Sequence, residues 1–291
     1  MGLTQHFDLL HALAGMLVGI LVGLTGVGGG SLMTPLLVLL FGVSPQTAVG
    51  TDLLFAAVTK IAGSAVHGKR NTVDWTIVRR MACGSVPAAI VTLGFLSYFG
   101  KIGNSTEHLI MISLAVLLGL TAVAVVCRKW LLKFAHDINP DQPRSRVVGG
   151  TVLLGAAIGV AVSISSVGAG AIGMTVLLML YPKLPVARIV GSDIAHAVPL
   201  ALIAGVGHWF IGDVDFGLLA VLLLGSIPGV ILGSYLSSHA PDRILQPLLA
   251  CVLAVSSWQL FLKANSADKA LPTPATAHAA TIEGEIPEQH P

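Results

Sequence analysis

The few side chains in this chain that could do chemistry lie in apolar sequence, which narrows what they can be for. Lys60 falls near the middle of a run long enough to cross a membrane, where an ammonium is costly unless it faces a cavity or a partner. It offers positive charge to an anion, half of a structural ion pair with Asp52 or Asp193, or a tip that snorkels to an interface. His196 follows Asp193 by one helical turn, so the two side chains can share a face. An imidazole there can bind an anion or pass a proton. Asp52 and Asp193 each follow a Gly-Thr or Gly-Ser pair near the start of an apolar run, and read as coupling groups or as structural caps and braces.

Two glycine-rich breaks interrupt the apolar sequence nearby. One is Thr25-Gly26-Val27-Gly28-Gly29-Gly30-Ser31 and the other is Ser165-Ser166-Val167-Gly168-Ala169-Gly170. Backbone freed from a helix exposes N–H and C=O groups that lipid cannot satisfy, so such breaks are tolerated only inside protein or beside a watery cavity. Paired breaks at matching places point to a transporter's binding site, where half-helix N-termini aim N–H groups and partial positive charge at an anion. The candidate substrate-binding set is therefore Thr25, Gly28, Gly29, Gly30, Ser31, Lys60, Ser165, Ser166, Gly168, Gly170 and His196, with Asp52 and Asp193 as coupling or structural groups. No Gly-Lys-Ser/Thr follows either break and no strand precedes it, so a phosphate-binding loop does not fit.

These residues need helices to hold them. Of 291 residues, 54% are hydrophobic and 10% charged, against about 25% charged in a soluble domain. The chain reads as an all-α polytopic membrane protein. A net charge of +2 with no basic stripe excludes a nucleic-acid partner. Cys83, Cys127 and Cys251 have no ligand-like spacing and read as small core residues, so no metal, cofactor or disulfide framework is expected. The N-terminus lacks both the basic residues and the small-residue site of a removable signal peptide.

Apolar runs are expected at 9–25, 31–41, 48–66, 77–99 and 109–126, then at 147–165, 171–180, 189–210, 216–236 and 244–262. Gly15, Gly19 and Gly23 form a small-residue ridge suited to close packing. The runs at 31–41 and 171–180 are too short for about 30 Å of hydrocarbon at about 1.5 Å per residue. Each break is either the tip of a re-entrant hairpin or a joint between two spans. Pro35 is placed in the first turn of its helix, where a missing N–H matters little.

The two halves match. Gly50-Thr51-Asp52 aligns with Gly191-Ser192-Asp193, His67 with His208, Asp74 with Asp215, and Gly84-Ser85-Val86-Pro87 with Gly225-Ser226-Ile227-Pro228, all 141 residues apart. Upstream, Gly15, Gly19 and Gly28 match Gly155, Gly159 and Gly168 at 140. A constant offset across several motifs indicates internal duplication. The loop holding Lys69, Arg70, Arg79 and Arg80 is basic, whereas its counterpart around Asp213 and Asp215 is acidic, so the positive-inside rule puts them on opposite faces. The expectation is two inverted-topology repeats, each a glycine-broken helix pair plus three full spans, about ten apolar helical segments with both termini outside the cytoplasm. The division is 9–127, first membrane repeat; 128–146, basic cytoplasmic linker; 147–262, second membrane repeat; and 263–291, a disordered tail. His67 and His208 read as interfacial.

Gly26-Val27-Gly28-Gly29-Gly30-Ser31 followed by Pro35, the span opening Ala48-Val49-Gly50-Thr51-Asp52, and the degenerate copy Gly191-Ser192-Asp193 resemble the sulfite exporter TauE/SafE family of bacterial membrane transporters. The resemblance runs over about residues 10 to 262. It implies movement of small sulfur-containing anions such as sulfite, thiosulfate, sulfoacetate or other organosulfonates, often outward across the inner membrane. The expected partners are a small anionic substrate and the lipid bilayer, and the expected function is secondary transport by alternating access rather than catalysis. The alternatives are an anion channel and an intramembrane hydrolase using Ser163 or Asp193 with His196, for which no nucleophile elbow or oxyanion hole is specified.

Overall fold

The computed structural model describes residues 2–25, 30–67, 73–99, 105–138, 143–168, 170–236 and 242–269. Among them are ten helices and no strand: α1 (Gly2–Thr25), α2 (Gly30–Leu39), α3 (Pro45–His67), α4 (Trp75–Phe99), α5 (Ser105–Ile138), α6 (Arg144–Ser165), α7 (Ala171–Leu180), α8 (Val186–Ile211), α9 (Phe216–Leu236) and α10 (Asp242–Lys269). Stretches in α4, α5, α6, α8, α9 and α10 are long and apolar enough to cross a membrane. Leu9–Leu24 of α1 is apolar but shorter. At ten residues each, α2 and α7 reach about 15 Å, half of the hydrocarbon. Large apolar side chains such as Leu17, Val91, Val123, Leu153, Phe210 and Leu224 stay exposed, as suits helices bathed in lipid.

Helix packing follows the small residues. Lipid removes the hydrophobic drive for helices to associate, so close backbone approach and dispersion must supply it. α1 packs along α9, α4 along α6, α5 along α10, and α3 against α8. A Cβ on Gly15 would come within 2.3 Å of the Leu222 carbonyl oxygen, and one on Gly155 within 2.2 Å of that of Met81. Gly19 meets Ser226 and Gly159 meets Ser85 in the same way. α3 and α8 run antiparallel, with Gly50 against His208 and Gly205 against Leu54. Each of the two glycine ridges thus packs on the late helix of the opposite half of the sequence.

Several expectations change. α5 runs on to Ile138, so the basic segment expected as a linker is helical over its first part; Leu131, Leu132, Lys133 and Ala135 are good helix formers. α10 extends past Leu262 to Lys269, and the rest of the expected tail lies outside the described residues. Pro35 is the sixth residue of α2, beyond the first turn. Cys83 and Cys251 are exposed and Cys127 is intermediate, so none of the three is a core residue; a thiol is apolar enough for an outer helix face. His208 is buried, not interfacial, because both ring nitrogens have protein partners.

Candidate functional site

The second break is well described. α6 ends with Ser166 in the left-handed conformation (φ 58°), its N–H donating to the Val162 carbonyl at 2.8 Å. Gly168 has φ of 114°, which a side chain would strain, and Gly170 opens α7. The Ser165 hydroxyl donates to the Ala161 carbonyl (2.8 Å) and accepts from the Val167 N–H (3.2 Å), so it braces the turn rather than offering a free donor. Ser163 and Ser166 differ: both hydroxyl oxygens are buried without a hydrogen-bond partner. Of the first break, Gly26 to Gly29 and the side chain of Thr25 lie outside the described residues, so Thr25, Gly28 and Gly29 have no described place in the site. Gly30 opens α2, and Ser31 is buried beside it.

The polar core joins these elements. Asp52 is eight residues into α3 and fully buried, so it caps no helix. Thr34 of α2 donates its hydroxyl to Asp52 Oδ2, while the Ser166 hydroxyl stands beside the same carboxyl just outside hydrogen-bond geometry. Asp52 therefore links α2 to the end of α6, and its Oδ1 has no partner. Asp193 is buried on α8, close to α7: a Cβ on Gly173 would lie 2.9 Å from Asp193 Oδ1, also without a hydrogen-bond partner.

Lys60 is half-buried and lies within electrostatic reach of Asp193, Asp52 and His196. Among the described residues none makes a direct ion pair with it. That leaves the ammonium near two carboxyl groups but in contact with neither. His196 is buried, and its Nε2 is 2.7 Å from Ser85 Oγ of α4, while Nδ1 is without a partner. At the matching place in the other half Phe55 stands where His196 does, and the Ser226 hydroxyl has no partner. His196 and Asp193 share the buried face of α8, yet no hydrogen bond joins them. A Ser-His pair alone is not a catalytic triad, because no carboxylate orients Nδ1.

Two hydrogen bonds link the early part of each long helix to a distant loop. Thr51 Oγ1 of α3 accepts from the Asp215 N–H (3.1 Å) before α9, and Ser192 Oγ of α8 accepts from the Asp74 N–H (2.8 Å) before α4. Beside the first, His208 Nε2 donates to the Ser163 carbonyl (2.8 Å), since a carbonyl can only accept, and Nδ1 faces Asp213 Oδ2 at 3.3 Å. Thr34, Ser85, His208 and these roles of Thr51 and Ser192 are absent from the sequence-derived set. The matched hydroxyls at 51 and 192 and at 85 and 226 were the available signal. Among the described residues no three His, Cys, Asp or Glu side chains converge to hold a metal ion.

The family model described as Sulfite exporter TauE/SafE matches residues 11–260. The chain is 38% identical over 252 residues to "Probable membrane transporter protein YjnA" of Bacillus subtilis (strain 168), covering 85% of this chain and 97% of that protein. It is 28% identical over 250 residues to YdhB of the same organism, covering 85% and 98%, and 25% identical over 261 residues to "Probable membrane transporter protein MJ0441" of Methanocaldococcus jannaschii, covering 84% and 92%. No solved structure matches the chain.

Proposed function

The chain belongs to the sulfite exporter TauE/SafE family, and from that membership we propose that it is a secondary transporter that exports small anions by alternating access, with sulfite, related sulfur oxyanions or organosulfonates as substrate. The observation that carries the anion reading is Lys60, an ammonium at half-burial with no direct ion pair among the described residues and with Asp193 and His196, each holding an unpartnered polar atom, within its electrostatic reach; the unpartnered Ser166 hydroxyl stands beside Asp52. A site that ends in an unpaired cation and hydroxyl donors favours an oxyanion over a neutral solute. The substrate-binding groups are assigned to Thr25, Gly28 to Ser31, Lys60, Ser166, Gly168, Gly170 and His196, with Ser165 holding the second break in shape. Family membership supports a bacterial plasma-membrane location, and relatives named as probable membrane transporters favour transport over catalysis.

The two long-range hydrogen bonds support the inverted-repeat reading and give it a use. Thr51 with Asp215, and Ser192 with Asp74, are one interaction made twice with the halves exchanged. The positive-inside assignment puts the Asp74 loop in the cytoplasm and the Asp215 loop outside, with both termini outside. Each bond then latches one mouth of the pathway. A neutral hydrogen bond is worth about 0.5–1.5 kcal/mol net, weak enough to break in every cycle.

Purified protein in liposomes, offered sulfite, thiosulfate, sulfate, methanesulfonate and acetate in turn, tests the assignment. Saturable flux of the sulfur anions ahead of acetate supports it. Flux that rises linearly without saturation favours a channel, and flux of acetate alone refutes the substrate class.

A further inference from the structure

Where α2, α3, α7 and α8 meet the end of α6, the structure brings one ammonium, Lys60, near two buried carboxyl groups. An isolated ion held out of water costs several kcal/mol, so this region must stay close to neutral as the transporter cycles. The two carboxyls are not equivalent. Asp52 has the Thr34 hydroxyl bonded to it and the Ser166 hydroxyl beside it, which tie it to the helix breaks. The Asp193 side chain makes no hydrogen bond to any described residue, and its Oδ1 lies beside Gly173 of α7, 2.9 Å from where a Cβ would stand there. Its neighbouring charge is Lys60.

We infer that the charge of Lys60 is balanced in turn by Asp193, across a gap, and by the transported anion, so that each monovalent anion seating on Lys60 brings one proton onto Asp193. This rests on the anion-transport reading above. In the empty site the Asp193 carboxylate offsets the ammonium through space, without a direct ion pair. When the anion takes over that task, Asp193 loses its counter-charge in a low-dielectric setting and binds a proton from water, forming one O–H bond. The site gains one negative and one positive charge, so its net charge does not change. Release of the anion reverses the step.

The groups around Asp193 support this assignment. α3 presents Lys60 and Asp52, and Asp193's own helix presents His196, whose Nε2 is already engaged by Ser85 of α4. From α7 the residue beside Asp193 is Gly173, which does not titrate. Arg80 of α4 donates to the Tyr181 hydroxyl (3.1 Å). Asp193 is thus the carboxyl whose partner the substrate removes. Flux of a monovalent anion then follows the anion gradient and the pH gradient together, and not the membrane potential; net export needs an outward anion gradient larger than an opposing pH gradient.

The test is calorimetric titration of the purified full chain with methanesulfonate, which stays ionised at neutral pH, in two buffers of different ionisation enthalpy. The expected result is uptake of about one proton per bound anion, with affinity falling about tenfold per pH unit in the alkaline range. Asp193→Asn should bind with no proton uptake and a flat pH dependence, whereas Asp52→Asn should still take up the proton. Wild-type binding without proton uptake overturns the inference, as does uptake that persists in Asp193→Asn. If either variant does not fold, wild-type binding without proton uptake still overturns the inference. If wild type binds none of methanesulfonate, sulfite and thiosulfate, the anion-transport reading itself fails, an outcome distinct from binding without a proton.

Discussion

Lys60 carries more of this account than any other residue, and its value comes from what does not touch it. An ammonium tied into a buried ion pair would brace the fold, and removing it would cost about 3–5 kcal/mol by stranding its partner. With no direct ion pair among the described residues, Lys60→Gln should leave the protein folded, with thermal unfolding in detergent shifted little, while anion flux is lost. Lys60→Arg keeps the charge but spreads it over a planar fork and should retain part of the flux. His196 offers a second check. Ser85→Ala frees Nε2 and lets the ring turn, so it should weaken anion affinity about 5- to 30-fold, the worth of about 1–2 kcal/mol, and leave a folded protein. The candidate list was legible to the extent that a costly residue type in an apolar run is visible one residue at a time. Ser85 was not, because a contact spanning 111 positions exists only once α4 has crossed α8. Ser165 looked like a donor by type, but its hydroxyl was already used within its own turn.

Among the helices, glycine sets how near they come and matched hydroxyls set which loops they hold. Gly155 leaves no room for a Cβ against the Met81 carbonyl, so Gly155→Val should push α4 from α6 and destabilise the protein by about 1–3 kcal/mol, seen as a lower unfolding temperature in a fixed detergent. Gly149, with open space around it, should tolerate alanine under the same assay. The latches make a directional prediction. Thr51→Val should raise labelling of a pathway cysteine from the outside, and Ser192→Ala from the cytoplasm, each by about fivefold if one hydrogen bond of about 1 kcal/mol is lost. Equal labelling from both sides in both variants would remove the gating role. Helix positions were legible because apolar runs and glycine breaks recur with the same spacing, and α7 and α9 end where the apolar runs do. The end of α5 was not, since a basic stretch looks like a linker until its leucines and lysines continue a helix that has already started.

For the whole molecule, an offset of 141 matches the contact that occurs twice, and two exceptions to it, Lys60 and His196, are residues of the proposed site. Lys60 faces Ala201 in the alignment and His196 faces Phe55, so the charges at the site belong to one half each. Such asymmetry is what a solute with one charged end requires. Motif spacing and loop charge lead to the reading of an inverted duplication, whereas the packing of α1 on α9 and of α6 on α4 could not be read from them, because nothing in the spacing says which helix a glycine ridge meets. Inverted topology predicts that a cysteine placed at Asn71 is labelled only from the cytoplasm and one at Asp213 only from outside; labelling of both from one face would make the repeats parallel.

The most direct measurement is efflux of sulfite from liposomes holding either the wild-type chain or Lys60→Gln at equal protein content. Saturable efflux is expected in wild type and efflux at the level of empty liposomes in Lys60→Gln. Equal efflux from the two would contradict that expectation.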